Sequence, residues 1–233
     1  MPEAEGSSGG RPAGEDWAAH LGREEGRYRD GEARLANVRD GDSRQRQLTR
    51  LGNAATGAGL ALLMLGRDDD ASAWFHRAAV RYRESFPHAP PGSWGRPIAV
   101  LKALVLAGDW PEAENAARWA LETGPADAQS PIGCYAAALA FLVLGEDTSA
   151  RAQADAIRTR DDFPRGVGDA LAYLAAQDVL GYEEAVEAVL ESFAARGEYL
   201  EGIPVADTVL VLQALARRRR MEAELSSPLL PAG

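Results

Sequence analysis

A chain of 233 residues that is 46% hydrophobic and 26% charged is long enough for one large domain or one elongated array with a sizeable core. Its formal charge of −10 repels phosphate backbones, which argues against nucleic-acid binding, and it suits either solubility or a cationic partner. Cys134 is the only cysteine, so no intrachain disulfide can form, and aromatic content of 7% with abundant alanine favours closely packed helices over sheets.

The segment MPEAEGSSGGRPAGED lacks the apolar stretch of a secretion signal, and residues 1–15 are too poor in large apolar groups to repay ordering. They are read as disordered, ahead of a single domain over 16–233. The longest apolar runs, IAVLKALVLA and CYAAALAFLVL, are about half the length a bilayer-spanning helix needs, so a cytoplasmic protein is expected. From Trp17 to Val38, Trp17, Leu21, Tyr28, Leu35 and Val38 fall on one narrow helical stripe, weakened by Gly22, Gly26 and Gly31. A second helix follows in DSRQRQLTRLGNAATGAGLALLMLG, capped by Asp42 or Ser43, with Gly52, Ala54, Gly57 and Gly59 permitting close approach of a neighbour. No strand precedes GNAATGAG, so it is read as packing surface and not as a phosphate loop.

One sentence is then written four times: LALLMLGRDDDASAWFHRAA, LVLAGDWPEAENAARWAL, FLVLGEDTSARAQADAI and DVLGYEEAVEAVLESF. In each, Gly66, Gly108, Gly145 or Gly181 is expected to close an apolar helix in the left-handed conformation. Asp68, Asp109 or Thr148 is a potential cap for the helix that follows, in which Ala71, Ala113, Ala150 or Ala185 stands four or five places past the glycine. The glycines are 42, 37 and 36 residues apart, a period that belongs to helix-pair repeats. IAVLKALVLA and CYAAALAFLVL are apolar almost all round and must be covered on several sides, whereas EAENAARWALE and EEAVEAVLESF are amphipathic and suit a wetted outer layer. The fold expected is all-α, a TPR-like stack of antiparallel helix pairs. FPHAPPGSWGRP, GPADAQSP and DDFPRG separate the pairs. The last helix, VADTVLVLQALARRRRMEAEL, has no successor and should cap the array, with SSPLLPAG packing back over it.

No residue group matches a catalytic or cofactor pattern, and no cofactor or metal is expected. His20, His76 and His88 are scattered, HExxH and paired CxxC are absent, and no GxSxG elbow occurs. Cys134 opens an apolar helix, where cysteine behaves as a small hydrophobe. Asp68–Asp70 and Asp161–Asp162 lack the spaced oxygens of a calcium loop. Arg217–Arg220 wrap around a helix and cannot form one flat patch. Twenty-four arginines accompany one lysine, Lys102, a bias that GC-rich coding produces by itself.

Trp74, Trp110 and Trp119 sit in or beside the second helices and are read as packing. Trp94 lies in the glycine-flanked loop PPGSWGRP with Arg96 two residues on, and Trp and Arg are enriched at the energetic centres of interfaces.

RQRQLTRLGNAATGAGLALLMLG leading into ASAWFHRAAVRYRESF, the mid-chain IAVLKALVLAGDWPEAENAARWA, and the ending LARRRRMEAEL followed by SSPLLP together resemble the immunity 49 family of bacterial polymorphic-toxin systems, over about residues 44–231. The resemblance implies an all-helical cytoplasmic protein that binds a cognate toxin and blocks it without turnover. No residue-level motif carries over. Trp94, Arg96, Asp161 and Asp162 are the candidate contacts, from loop position and charge. The rival reading is a helical-repeat adaptor binding a peptide along its concave face; an enzyme is a third.

Overall fold

The computed structural model describes residues 16–232, so the stretch 1–15, expected to be disordered, lies outside the described residues. Those residues form ten α-helices and no strand: α1 (Trp17–Leu35), α2 (Gly41–Met64), α3 (Asp68–Ser85), α4 (Gly95–Leu106), α5 (Trp110–Glu122), α6 (Pro131–Leu144), α7 (Asp147–Arg158), α8 (Arg165–Ala176), α9 (Val179–Ala194) and α10 (Asp207–Arg219). Each helix from α1 to α9 packs on the next, and α4, α6 and α8 also touch side by side, which makes them an inner layer beneath α5, α7 and α9.

Composition sets which layer a helix joins. In α6, Gly133 to Ala140 are buried without a break, along with Leu142 and Val143. Outer α5 buries only Ala113, Ala116, Ala117 and Ala120, and α7 only Ala150, Ala154 and Ile157, each a single stripe at helical spacing. Alanine on those stripes lets the two layers approach closely.

Three of the four marker glycines close their helices as expected. Gly66, Gly108 and Gly145 take φ of 70°, 71° and 75°. In each case the next residue's N–H returns to a carbonyl five residues back: Arg67 to Leu62 at 2.9 Å, Asp109 to Leu104 at 3.2 Å and Glu146 to Phe141 at 2.9 Å. Gly181 is the exception and corrects the sequence reading. The break comes earlier, where Gln177 takes φ 55° and the Asp178 N–H bonds Tyr173 O at 3.0 Å. Asp178 then caps α9 by accepting from Gly181 N at 3.1 Å. Gly181 is inside α9 because the Tyr173 ring lies on it; a Cβ there would sit 2.6 Å from the ring.

Caps also differ from expectation. Asp40, and neither Asp42 nor Ser43, caps α2 by accepting from Ser43 N at 2.7 Å. Asp109 caps α5 through Glu112 N at 3.1 Å, whereas Asp68 and Thr148 fall inside the first turns of α3 and α7, which have no side-chain cap. The α2 glycines serve close approach as read: a Cβ on Gly52 would lie 2.6 Å from Tyr82, and one on Gly59 2.6 Å from Phe75.

α10 covers the array across the inner layer and not as a further layer at its open end; it touches α4 and α8 as well as α9. It begins beside Lys102 in mid α4 and ends where Arg219 donates to Leu142 O at 2.9 Å and to Asp147 at 2.6 Å, at the close of α6. It stops at Arg219, short of the expected helical run through MEAEL. Arg220 takes φ 59°, and the chain beyond it continues without regular secondary structure, with Gln213 holding both the N–H and the C=O of Ala223. The tail does pack back, Leu229 being buried and its carbonyl accepting from Ala206 N at 3.0 Å.

Gln177 and Arg220 are L-residues held where glycine is favoured. Gln177→Gly and Arg220→Gly are each expected to stabilise the fold by about 0.5–1 kcal/mol, read as a higher midpoint in urea; a lower midpoint for both would contradict these two helix ends.

Candidate functional site

The four residues singled out from sequence do not form one constellation. Trp94 ends its loop as the residue before α4, half-buried, with its indole N–H against Gly133 at the start of α6. Arg96 points inward, donating to Ser85 Oγ at 3.1 Å and to Gln45, so it ties α4 to α2 and α3. Asp162 pairs with Arg160 at 2.8 Å, and Arg160 in turn reaches Gln129 O at 3.5 Å. Asp161 is exposed. The arginine run is directed four ways: Arg217 to Glu222, Arg218 over the Trp110 ring at 4.3 Å, Arg219 to α6 and Asp147, and Arg220 into the left-handed turn. Cys134 is buried, its thiol 3.5 Å from Ala128 O.

The concave feature with the most apolar lining is one that no short motif announces. A cavity of about 290 Å³ lies where α2, α4, α6 and α8 meet the returning segment 193–208. One wall is a hydrogen-bonded chain. Arg27 in α1 holds Glu201, whose other oxygen accepts from Asn53 Nδ2 at 2.7 Å; Asn53 Oδ1 accepts from the Tyr82 hydroxyl at 2.9 Å, with Thr56 Oγ1 3.3 Å away. Burial alone would raise the Glu201 carboxyl, but the Arg27 and Asn53 bonds prevail and hold its pKa below the usual carboxylate value. Burial pushes the Tyr82 phenol well above its ordinary value.

The opposite wall carries the chain's one lysine. Lys102 donates to Asp207 and, at 3.2 Å, to Thr208 Oγ1, joining α4 to the first turn of α10. Desolvation disfavours its ammonium, yet the Asp207 carboxylate outweighs this and leaves its pKa above the ordinary lysine value. A lysine so held is protonated at neutral pH and is no nucleophile. Tyr135, raised by burial, and Phe163, with ring centroids 5.5 Å apart, line the α6 side. Arg196 stands at the lip with its guanidinium 3.7 Å from the Phe193 ring centre.

Among the described residues no three His, Cys, Asp or Glu side chains come together as a metal site, and no helix is long and apolar enough to cross a membrane. The cavity is therefore a hollow with fixed hydrogen-bond donors and two internally neutralised ion pairs, an arrangement suited to holding a molecule.

Fold and site together define a helix-pair array whose inner face is covered by its own C-terminal segment. No family model, no curated protein and no solved structure matches this chain.

Proposed function

We propose that this protein acts by stoichiometric binding of another protein, as a cytoplasmic immunity protein that occludes a toxin with a cationic surface. The observation that carries the reading is the outer face of α9. Between Val179 and Ala194 there is no lysine or arginine, and Glu184, Glu187 and Glu191 are exposed with no ion pair among the described residues. Glu183, Glu187 and Glu191 succeed one another at four-residue spacing, which costs an isolated helix a few tenths of a kcal/mol per pair. Leu180, 73% exposed, and Val179 stand at the start of the same helix. Apolar contact beside unneutralised acid is a surface that a cationic partner would complement, with charge speeding association. The resemblance to the immunity 49 family supports the same reading. Asp161 and Asp162 remain accessible candidates, Trp94 is half-covered, and Arg96 is engaged within the fold. A peptide adaptor is disfavoured, because α10 lies across α4 and α8 of the inner layer, where such a peptide would dock.

The test is co-expression with the toxin-domain product of the adjacent reading frame. Restored growth and an equimolar complex are expected, and Glu184→Lys with Glu187→Lys should slow association by about tenfold at low salt without changing Tm. Absence of rescue and of a complex refutes the proposal.

A further inference from the structure

We propose that the cavity between the inner layer and α10 binds a small amphipathic monocarboxylate, its anionic head taken by Lys102, Tyr135 and Arg196 and its apolar body by Phe163, Val167 and Phe193. This is independent of the partner reading above.

The sign of the ligand follows from the charges that face the hollow. Asp207 is answered by Lys102, and Glu201 by Arg27. Arg196 has no carboxylate partner among the described residues and touches only the Phe193 face. It lies close enough to Lys102 for the two cations to repel. One positive charge is thus left over at the mouth of a cavity in a protein of net charge −10. A dianion would meet Asp207 and Glu201 at close range; a monoanion balances the excess.

The donors point the same way. Lys102 uses two of its three N–H groups, on Asp207 and Thr208. Tyr135 is only 8% exposed, yet its hydroxyl makes no hydrogen bond to any described residue. The one fully enclosed side-chain nitrogen or oxygen without a partner among the described residues is Arg219 Nε, so the Tyr135 oxygen opens onto the hollow and is not sealed in packing. The accessible Tyr135 hydroxyl and the spare Lys102 ammonium proton are two uncommitted donors on one wall, which an anion seated in the hollow would engage together. The rest of the lining is aromatic and aliphatic, which calls for a hydrocarbon body.

The experiment titrates the full chain, by calorimetry and thermal shift, with straight-chain monocarboxylates from butyrate to decanoate and with 4-phenylbutyrate; octanamide and octylamine serve as neutral and cationic counterparts. Saturable equimolar binding of at least one carboxylate is expected, with its amide weaker by about tenfold and its amine inert. Arg196→Gln, at an exposed position, should weaken binding by about tenfold with Tm unchanged. Ile132→Trp, at the partly exposed mouth, should block it. Failure of every carboxylate to bind the unaltered protein, equal binding of octylamine, or full binding by Ile132→Trp would each overturn the proposal.

Discussion

Ala113→Arg is expected to lower Tm by roughly 10–20 °C, the larger of the mutational effects foreseen here. Ala113 is fully buried on the stripe that α5 turns toward the inner layer, followed by Ala116, Ala117 and Ala120, all equally enclosed. Two penalties combine there. A long side chain must fit where a methyl group is closely surrounded, and its guanidinium must lose water with no carboxylate on that stripe to receive it. The sum exceeds about 4 kcal/mol. Asn115→Arg, two residues away on the exposed side of the same helix, is the control and should stay within about 0.5 kcal/mol. Differential scanning calorimetry of both variants is the measurement. An unchanged Tm for Ala113→Arg would mean that α5 does not face the inner layer.

Alkaline pH should dismantle the fold steeply. Four groups, three buried and one half-buried, have pKa values raised above their ordinary ones: burial lifts the phenols of Tyr82, Tyr135 and Tyr182, and at half-buried Lys102 desolvation lowers the value but Asp207 outweighs it. In the unfolded chain tyrosine and lysine lose their protons near pH 10, so above that point the unfolded state binds fewer protons than the folded one. The stabilisation is complete below about pH 10 and declines as pH rises toward the raised values, with a slope approaching about 5 kcal/mol per pH unit for the four together. Urea midpoints should be level from about pH 8 to 9.5 and collapse between about pH 10 and 11.5. Tyr182→Phe, which removes one of the four and its 2.7 Å bond to Gln213, should make the decline shallower by about a quarter. A flat profile to pH 11.5 would show that these groups are not enclosed.

The fold was readable where local physics and tertiary packing agree. The glycines at 66, 108 and 145 mark helix ends because the left-handed turn is a property of a few adjacent residues. The contrast between α6, apolar on all sides, and the striped α5 and α7 reports depth directly. Gly181 misled because glycine serves two purposes; here it admits the Tyr173 ring, and only the partner's position distinguishes that from a turn. The end of α10 was missed because ARRRRMEAEL is rich in helix formers, and the competing pull is tertiary: Met221 and Ala223 are buried and Gln213 binds the backbone beyond the turn. Arg96 looked like a loop residue for a partner, but Gln45, distant in sequence, takes it up. The cavity had one faint signal, a lone lysine among arginines. Its meaning depends on residues as far apart as Asn53 and Thr208, and no local pattern brings those together.

The route of the last segment bears on how the chain matures. Glu201 must reach back to Asn53 and Arg27, 148 and 174 positions earlier, whereas each hairpin needs only its immediate neighbours. At ribosomal speeds of about 5–20 residues per second, the hairpins can form in sequence while the greasy side of α4 and α6 waits several seconds for its lid. Nascent or prematurely terminated chains therefore carry an adhesive flank that full-length molecules conceal, and they are the species from which chaperone capture and clumping should begin.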